Sequence, residues 1–211
     1  ETNRTAYIIM EYLDGISLKE KLERDGAMTV EESMPVIMAV IGALKSVHAA
    51  GILHRDISPD NIYLLKNGRT KLLDFGAARF ATTKHSRSLS VIIKPGFAPV
   101  EQYRSRGDQG PWTDVYALAA TFYNMLTGQV PEDAMERAAQ DTLKEPSKLG
   151  VKISPSLEAA LMNALNVQIE NRTKTINRFE QDLAASNVKR VAEKKRREDL
   201  GKWPDASWRQ W

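Results

Sequence analysis

The chain has 211 residues, 42% of them apolar, 27% charged and none of them cysteine, with a net charge of +3. That is enough apolar material for one sizeable core and excludes an intrinsically disordered chain; it also excludes disulfides and cysteine-ligated metals, which is compatible with a reducing cytosol. The longest apolar stretch, Val36 to Leu44, is too short to span a bilayer, no signal-like amino terminus is present, and so small a charge supports no nucleic-acid claim. The chain starts at Glu1 and not at methionine, as an excised piece would.

Residues 6 to 12, Ala-Tyr-Ile-Ile-Met-Glu-Tyr, form a short apolar run that suits a buried strand, with Met10 an ordinary core side chain on these grounds. Ser17 followed by Glu20 is a capping box opening a helix over Leu18 to Arg24. Thr29 with Glu32 is a second box, behind which Val30, Met34, Ile37, Ile41, Leu44 and His48 recur at helical spacing until Gly51 ends the helix. His48 reads as a helix-end histidine and not as a catalyst. This helix delivers the chain to Ile52, Leu53 and His54.

His54 to Gly76 reads HRDISPDNIYLLKNGRTKLLDFG. Two apolar runs, Ile62 to Leu65 and Thr70 to Leu73, flank an Asn-Gly pair, the strongest short-range signal for a two-residue hairpin. With Asn67 and Gly68 as the loop, paired residue numbers sum to 135, and Asn61 falls directly opposite Asp74. Opposed residues share a face with Cβ atoms roughly 5 Å apart. An amide oxygen and a carboxylate so placed can share one hard cation, and Mg²⁺ typically takes only one or two protein carboxylates. Asp56 is a further carboxylate five residues before Asn61.

Further on, Trp112 to Gly128 is apolar around most of its cylinder, which predicts a buried helix. Helical stretches follow at Pro131 to Gln140, at Ser154 to Asn166 with Pro155 in its first turn, and at Thr175 to Ala185, while Lys144 to Lys152 reads as a loop. Asn187 to Trp211 holds eight Lys or Arg against four acids, then Trp203, Trp208 and Trp211. A solvated basic linker or tail is the favoured reading there, with a membrane-surface or partner contact as the alternative.

His-Arg-Asp, four residues, Asn61, and then Asp-Phe-Gly together resemble the catalytic core of a protein kinase, and the resemblance covers nearly all of Tyr7 to Ala185. The implied fold is mainly α with a small β-hairpin: a kinase-like C-terminal lobe over 14–186, with the catalytic loop at 54–61 and the activation segment at 74–101. Residues 1–13 become the last small-lobe strand and the hinge, and 187–211 the tail. A Gly-rich phosphate loop and a Val-Ala-Ile-Lys strand are absent, so the N-terminal lobe is expected to be absent from this chain, leaving a fragment that binds ATP weakly.

The resemblance makes Asp56 the base that orients the substrate hydroxyl and takes its proton, and Asn61 and Asp74 the Mg²⁺ ligands. Met10 matches the gatekeeper, and Glu11 to Leu13 match the hinge whose backbone holds adenine. Ser17 falls where the family contacts ribose, although capping is the preferred role; Tyr63 stands where an aliphatic side chain usually lies under adenine. Arg55 marks the class whose phosphorylated activation loop is held by this arginine, and Thr82, Thr83, Ser86, Ser88 and Ser90 lie among basic residues in that segment. His54 and Phe75 belong to the apolar column between lobes. Asp114 is expected to bond the catalytic-loop backbone, and Glu101, which closes Pro-Val-Glu, to pair with Arg172. Ser58 departs from the pattern, since Ser/Thr kinases usually carry there a lysine that touches the transferring phosphate. Lys94 departs too, where a threonine is usual, and its amine could supply the missing charge, making Ser58 and Lys94 one coordinated variation.

The resemblance thus implies a Ser/Thr protein kinase using ATP and Mg²⁺ on protein substrates. Glu-Gln-Tyr after Val100 is similar to bacterial members, and the expected location is cytoplasmic, including as the cytoplasmic part of a membrane-anchored protein. A pseudokinase acting by contacts is the alternative. A small-molecule phosphotransferase is disfavoured by the activation segment and its closing motif. The missing small lobe and self-association through the apolar surface around Phe75 complete the expected partners.

Overall fold

A computed structural model describes residues 11–74, the backbone of 79–80, and residues 93–104 and 107–186. The Ser17 and Thr29 boxes form as expected. Each hydroxyl accepts from the backbone N–H three residues on, and each glutamate reaches back to the cap, opening α1 (Leu18–Asp25) and α2 (Val30–Ala49). Capping of this kind satisfies amide donors that a helix start otherwise leaves bare. Helix α2 buries Val30, Val36, Ile37, Val40, Ile41 and Leu44, a face broader than the predicted stripe.

Strand β1 (Gly15–Ser17) precedes α1, and β2 (Ile52–Leu53) follows α2. A 3-10 turn over Pro59–Asn61 leads into β3 (Ile62–Leu65) and β4 (Thr70–Leu72), and β5 (Arg79–Phe80) pairs back with β2. The expected hairpin is therefore the core of a three-stranded antiparallel sheet, in the order β1, β3, β4. The sequence reading missed β1, and Gly15 explains how it fits: a Cβ there would lie 2.2 Å from the Leu64 carbonyl oxygen. Residues 11–14 form no strand, and the remainder of the strand expected at 6–12 lies outside the described residues.

The hairpin register also differs. Ile62 pairs with Leu72, Tyr63 with Lys71 and Leu64 with Thr70, so paired numbers sum to 134 and not 135. Lys66, Asn67 and Gly68 form a three-residue loop in which Gly68 takes φ 81° and Leu65 exchanges backbone hydrogen bonds with Gly68 and Arg69. This is the turn with a left-handed glycine closing a bulge, which competes with the two-residue form for the same Asn-Gly signal. The Asn67 side chain accepts from the Arg69 N–H at 3.1 Å and helps select it.

Helix α3 (Val100–Tyr103) is short, and α4 (Pro111–Thr127) is buried on every side from Thr113 to Leu126, ending at Gly128 in the left-handed region. Helices α5 (Ala134–Ala139), α6 (Pro155–Ala164) and α7 (176–186) complete the helical mass, and a 3-10 turn over Pro146–Leu149 interrupts the expected loop. The core sits where α2, α4, α6 and α7 meet, around Ile37, Ile41, Leu118, Phe122, Leu161 and Phe179. Among the described residues, no helix is long and apolar enough to cross a membrane.

Candidate active site

The loop from His54 to Asn61 hangs from α4. Asp114, fully buried, accepts from the backbone N–H of His54 at 2.9 Å and of Arg55 at 2.8 Å, and contacts His48 Nε2 at 2.8 Å. Burying a carboxylate requires such donors, because unpaired it would carry a large desolvation cost. His48 is thus the helix-end histidine expected, bound to the anchor. Arg55 takes φ 69°, a left-handed conformation that costs a non-glycine residue about 1–2 kcal/mol. Its N–H is held by Asp114 and its carbonyl accepts from Gln102 Nε2 at 2.7 Å.

His54 is fully buried, and its Nε2–H donates to the Leu73 carbonyl at 3.0 Å while Nδ1 accepts from the Asp56 N–H at 3.3 Å. Burial lowers its pKa, against the pull of Asp114, Asp56 and Asp74, so the neutral ring persists at neutral pH. One imidazole thereby ties the residue before Asp74 to the amide of Asp56.

Asn61 Nδ2 donates to the Asp56 backbone carbonyl at 2.7 Å and to Asp56 Oδ2 at 2.8 Å, which fixes the carboxylate's orientation. The other oxygen, Oδ1, lies 3.1 Å from Lys94 Nζ. The same ammonium donates to Ser58 Oγ at 2.9 Å and lies 3.7 Å from Asp60 Oδ2, while Lys19 reaches Asp60 Oδ1 at 3.1 Å. Two cations and two carboxylates alternate through the cluster. Burial would raise the Asp60 pKa, but Lys19 and Lys94 outweigh it and hold the group below the usual carboxylate range. A cavity of about 10 Å³, lined in part by Asp56, Lys94 and Gln102, sits behind the cluster.

Asn61 lies opposite Leu73, whose N–H donates to the Asn61 carbonyl at 2.8 Å, and not opposite Asp74. A slip of one residue puts side chains on opposite faces of a continuing ladder. The ladder does not continue: Asp74 takes φ 58° and is exposed. Asn61 and Asp74 still carry oxygens of the type that magnesium takes; both of these Asn61 side-chain contacts use its amide nitrogen, and the amide oxygen is the atom a hard cation would take. Among the described residues no cluster of three or more His, Cys, Asp or Glu is placed to hold a metal.

Of the positions assigned to nucleotide, Met10 lies outside the described residues, Glu11 is exposed and ion-paired with Lys71, and Leu13 is half-buried. Ser17 spends its hydroxyl on Glu20, at 2.9 Å, within the capping box. Tyr63 is half-buried on β3 between Ser17 and Lys71. Phe75, Thr82, Thr83, Ser86, Ser88, Ser90 and the tail lie outside the described residues. Glu101 meets Arg172 at 2.7 Å, both side chains buried. Sequence reasoning missed Asp60, Lys19 and Gln102; the first was legible as a carboxylate beside Asn61, whereas the others gain meaning only from the loop they touch.

A protein kinase domain model matches residues 1–189. The serine/threonine-protein kinase PknB of Mycolicibacterium smegmatis is 33% identical over 186 residues, 84% of this chain and 30% of that protein. PknB of Mycobacterium tuberculosis is 34% identical over 187 residues, with the same two coverages. Among solved structures, the PpkA-294 apo form superposes with a TM-score of 0.70 at 30% identity, covering 82% of this chain and 61% of that one. The chain spans about 30% of the length of these curated relatives.

Proposed function

The chain belongs to the protein kinase family, and from that premise we propose that the protein transfers the γ-phosphate of ATP to serine or threonine hydroxyls of protein substrates. The observation that carries this reading is Lys94 Nζ at 3.1 Å from Asp56 Oδ1 and 2.9 Å from Ser58 Oγ. An ammonium from the segment 74–101 stands beside the catalytic carboxylate, in the neighbourhood where the family's usual lysine, replaced here by Ser58, would bring its charge. Ser58 accepts from Lys94 and lies 3.5 Å from Asp60, so the serine aligns the ammonium between two carboxylates.

In the reaction, Asp56 accepts a hydrogen bond from the substrate hydroxyl and takes its proton late, positioned base catalysis worth on the order of 10² to 10⁴. The hydroxyl oxygen forms the new P–O bond as the γ-phosphorus separates from the bridging oxygen, which leaves with its electron pair on ADP. Lys94 offsets the charge that gathers on the transferring group. Asn61 through its amide oxygen and Asp74 through its carboxylate would hold magnesium, which supplies charge neutralisation at the phosphates. A cleft of about 450 Å³ beside the cluster, lined by Lys19, Leu22, Glu23, Asp60, Phe97 and Val130, offers room for a peptide segment.

The reading takes 14–186 as the large lobe, 1–13 as the last small-lobe strand and hinge, and 187–211 as a solvated basic linker or tail, with a partner or membrane-surface contact as the alternative. Met10, Glu11, Leu13, Ser17 and Tyr63 would face the nucleotide together with a small lobe, without which 1–211 transfers phosphate poorly. The domain acts in the cytoplasm, where ATP is supplied. A second reading, a pseudokinase, draws on Ser58, Lys94 and Tyr63, which stand where the family usually has other residues. The test is phosphate transfer from Mg-ATP to a general protein substrate by the full-length protein beside its Asp56→Asn variant. Labelled product that vanishes in the variant supports the kinase; no transfer by either folded protein moves the assignment to the pseudokinase.

A further inference from the structure

We infer that Gln102 is a positioning residue that sets the orientation of Asp56 through the peptide group joining Arg55 to Asp56, an assignment that rests on the reading of Asp56 as the base. That peptide is held at both ends. Its carbonyl, on Arg55, accepts from Gln102 Nε2 at 2.7 Å, and its N–H, on Asp56, donates to His54 Nδ1 at 3.3 Å. Asp114 and His54 account for the amides, but Gln102 is the side chain that holds the carbonyl.

The hold matters because Arg55 is left-handed, with φ 69°, and a side chain in that region persists only when its surroundings impose it. Removing Gln102 Nε2 takes away a 2.7 Å hydrogen bond to this carbonyl, and any turn of the peptide carries the Asp56 Cα with it. Gln102 itself is 4% exposed, so water does not readily replace its amide. A cavity of about 10 Å³, the size of a single water, is lined in part by Gln102, Arg55, Asp56 and Lys94.

Gln102 is also rigidly mounted. On α3, Glu101 is clamped by Arg172 and Thr113, Gln102 reaches Arg55, and Tyr103 donates to Asp133, so three successive residues bind three different parts of the lobe. The helix that closes the segment 74–101 therefore sets the position of the donor, and through it the direction of the base.

The experiment compares the full-length protein with Gln102→Met, similar in shape but without a donor, and Gln102→Glu, whose carboxyl regains a donor only when protonated. A displacement of the base on the scale of an ångström should lower kcat about tenfold to a hundredfold in Gln102→Met. KM for Mg-ATP and for the peptide should move less than about twofold, because Gln102 is 4% exposed and its amide is turned to the Arg55 carbonyl. For Gln102→Glu, the ratio of its kcat to that of the parent should climb as pH falls toward the carboxyl range, a dependence that a packing role does not produce. Should Gln102→Met fail to fold, the pH ratio of Gln102→Glu decides the matter alone. A Gln102→Met kcat equal to the parent's, or a pH-independent ratio for Gln102→Glu, overturns the inference while leaving the kinase reading intact. Turnover that survives Asp56→Asn overturns the base reading and this inference with it.

Discussion

Two charged clusters lie within the last eight residues of the segment 74–101, one at Lys94 and one at Glu101, and they are built on opposite terms. Glu101 and Arg172 have side chains 3% and 0% exposed, and all five guanidinium N–H groups donate. Glu101 Oε1 also accepts from Thr113 at 3.0 Å, while the guanidinium donates to the carbonyls of Asn166, Trp112 and Val167 and stacks 4.9 Å from the Tyr116 ring. In the other cluster Lys94 is 26% exposed, Asp56 18% and Asp60 42%, with contacts between 2.9 and 3.7 Å. A buried pair whose cation is fully bonded has one arrangement and serves as a rivet. A wetter, looser cluster can exchange a contact for a substrate atom. Sign of charge does not separate structure from chemistry here; saturation and access to water do.

The sharpest way to break this comparison is Arg172→Ala. It leaves Glu101 buried without its cation and should lower unfolding stability by about 3–5 kcal/mol, read from urea denaturation. Replacing the pair together, Arg172→Met with Glu101→Leu, should recover only part of that loss, because three backbone carbonyls lose their donor as well. A loss below about 1 kcal/mol in the single variant would place this pair among ordinary surface ion pairs.

Lys94→Ala should show the converse pattern. Turnover of the full-length protein should fall on the order of 10² to 10³ while stability changes by less than about 1 kcal/mol. Adding Ser58→Lys to Lys94→Ala should restore part of the turnover, since the charge returns from the loop side. Equal losses in turnover and folding would make Lys94 a structural residue and end the coordinated-variation reading.

A smaller effect is expected with pH. Because burial depresses the folded-state pKa of His54, the unfolded chain binds more protons than the folded one just below the ordinary histidine value of about 6.5. Stability should therefore be fully present above that value and decline as pH falls through the window below it. His54→Gln should flatten that part of the profile, and an unchanged profile would show that the ring titrates alike in both states. Smallest of all is Lys19→Ala, which removes an exposed partner of Asp60. Its effect on turnover should stay within a few-fold and vanish by about 1 M salt, where the screening length is near 3 Å, whereas the Arg172→Ala loss should persist there.

Local features were legible. Both capping boxes, the burial of α4 on all faces and the Gly128 stop follow from residues within a turn or two of each other, where side chain and backbone compete over a few ångströms. The motif residues Asp56, Asn61 and Asp74 could be picked out by type and spacing. Their mutual geometry could not, and the hairpin shows why. Asn-Gly serves a two-residue and a three-residue loop alike, and the difference of one residue moved the partner of Asn61 from Asp74 to Leu73. Strand β1 was missed because its three residues carry no alternation of their own, and it forms by pairing with β3.

By itself, then, the sequence determined which chemistry the chain can bring to one loop: a carboxylate, an amide and a second carboxylate, with a serine where a lysine is usual. Only the tertiary structure decided what surrounds that loop. Lys94 comes from 36 residues away, Gln102 from 47 and Asp114 from 59, and each arrives because α4 and the closing segment pack against the loop. No local preference encodes such approaches. They follow from how the apolar faces of α2, α4, α6 and α7 bury one another, and that packing carries the charged ends of the segments to within hydrogen-bonding distance.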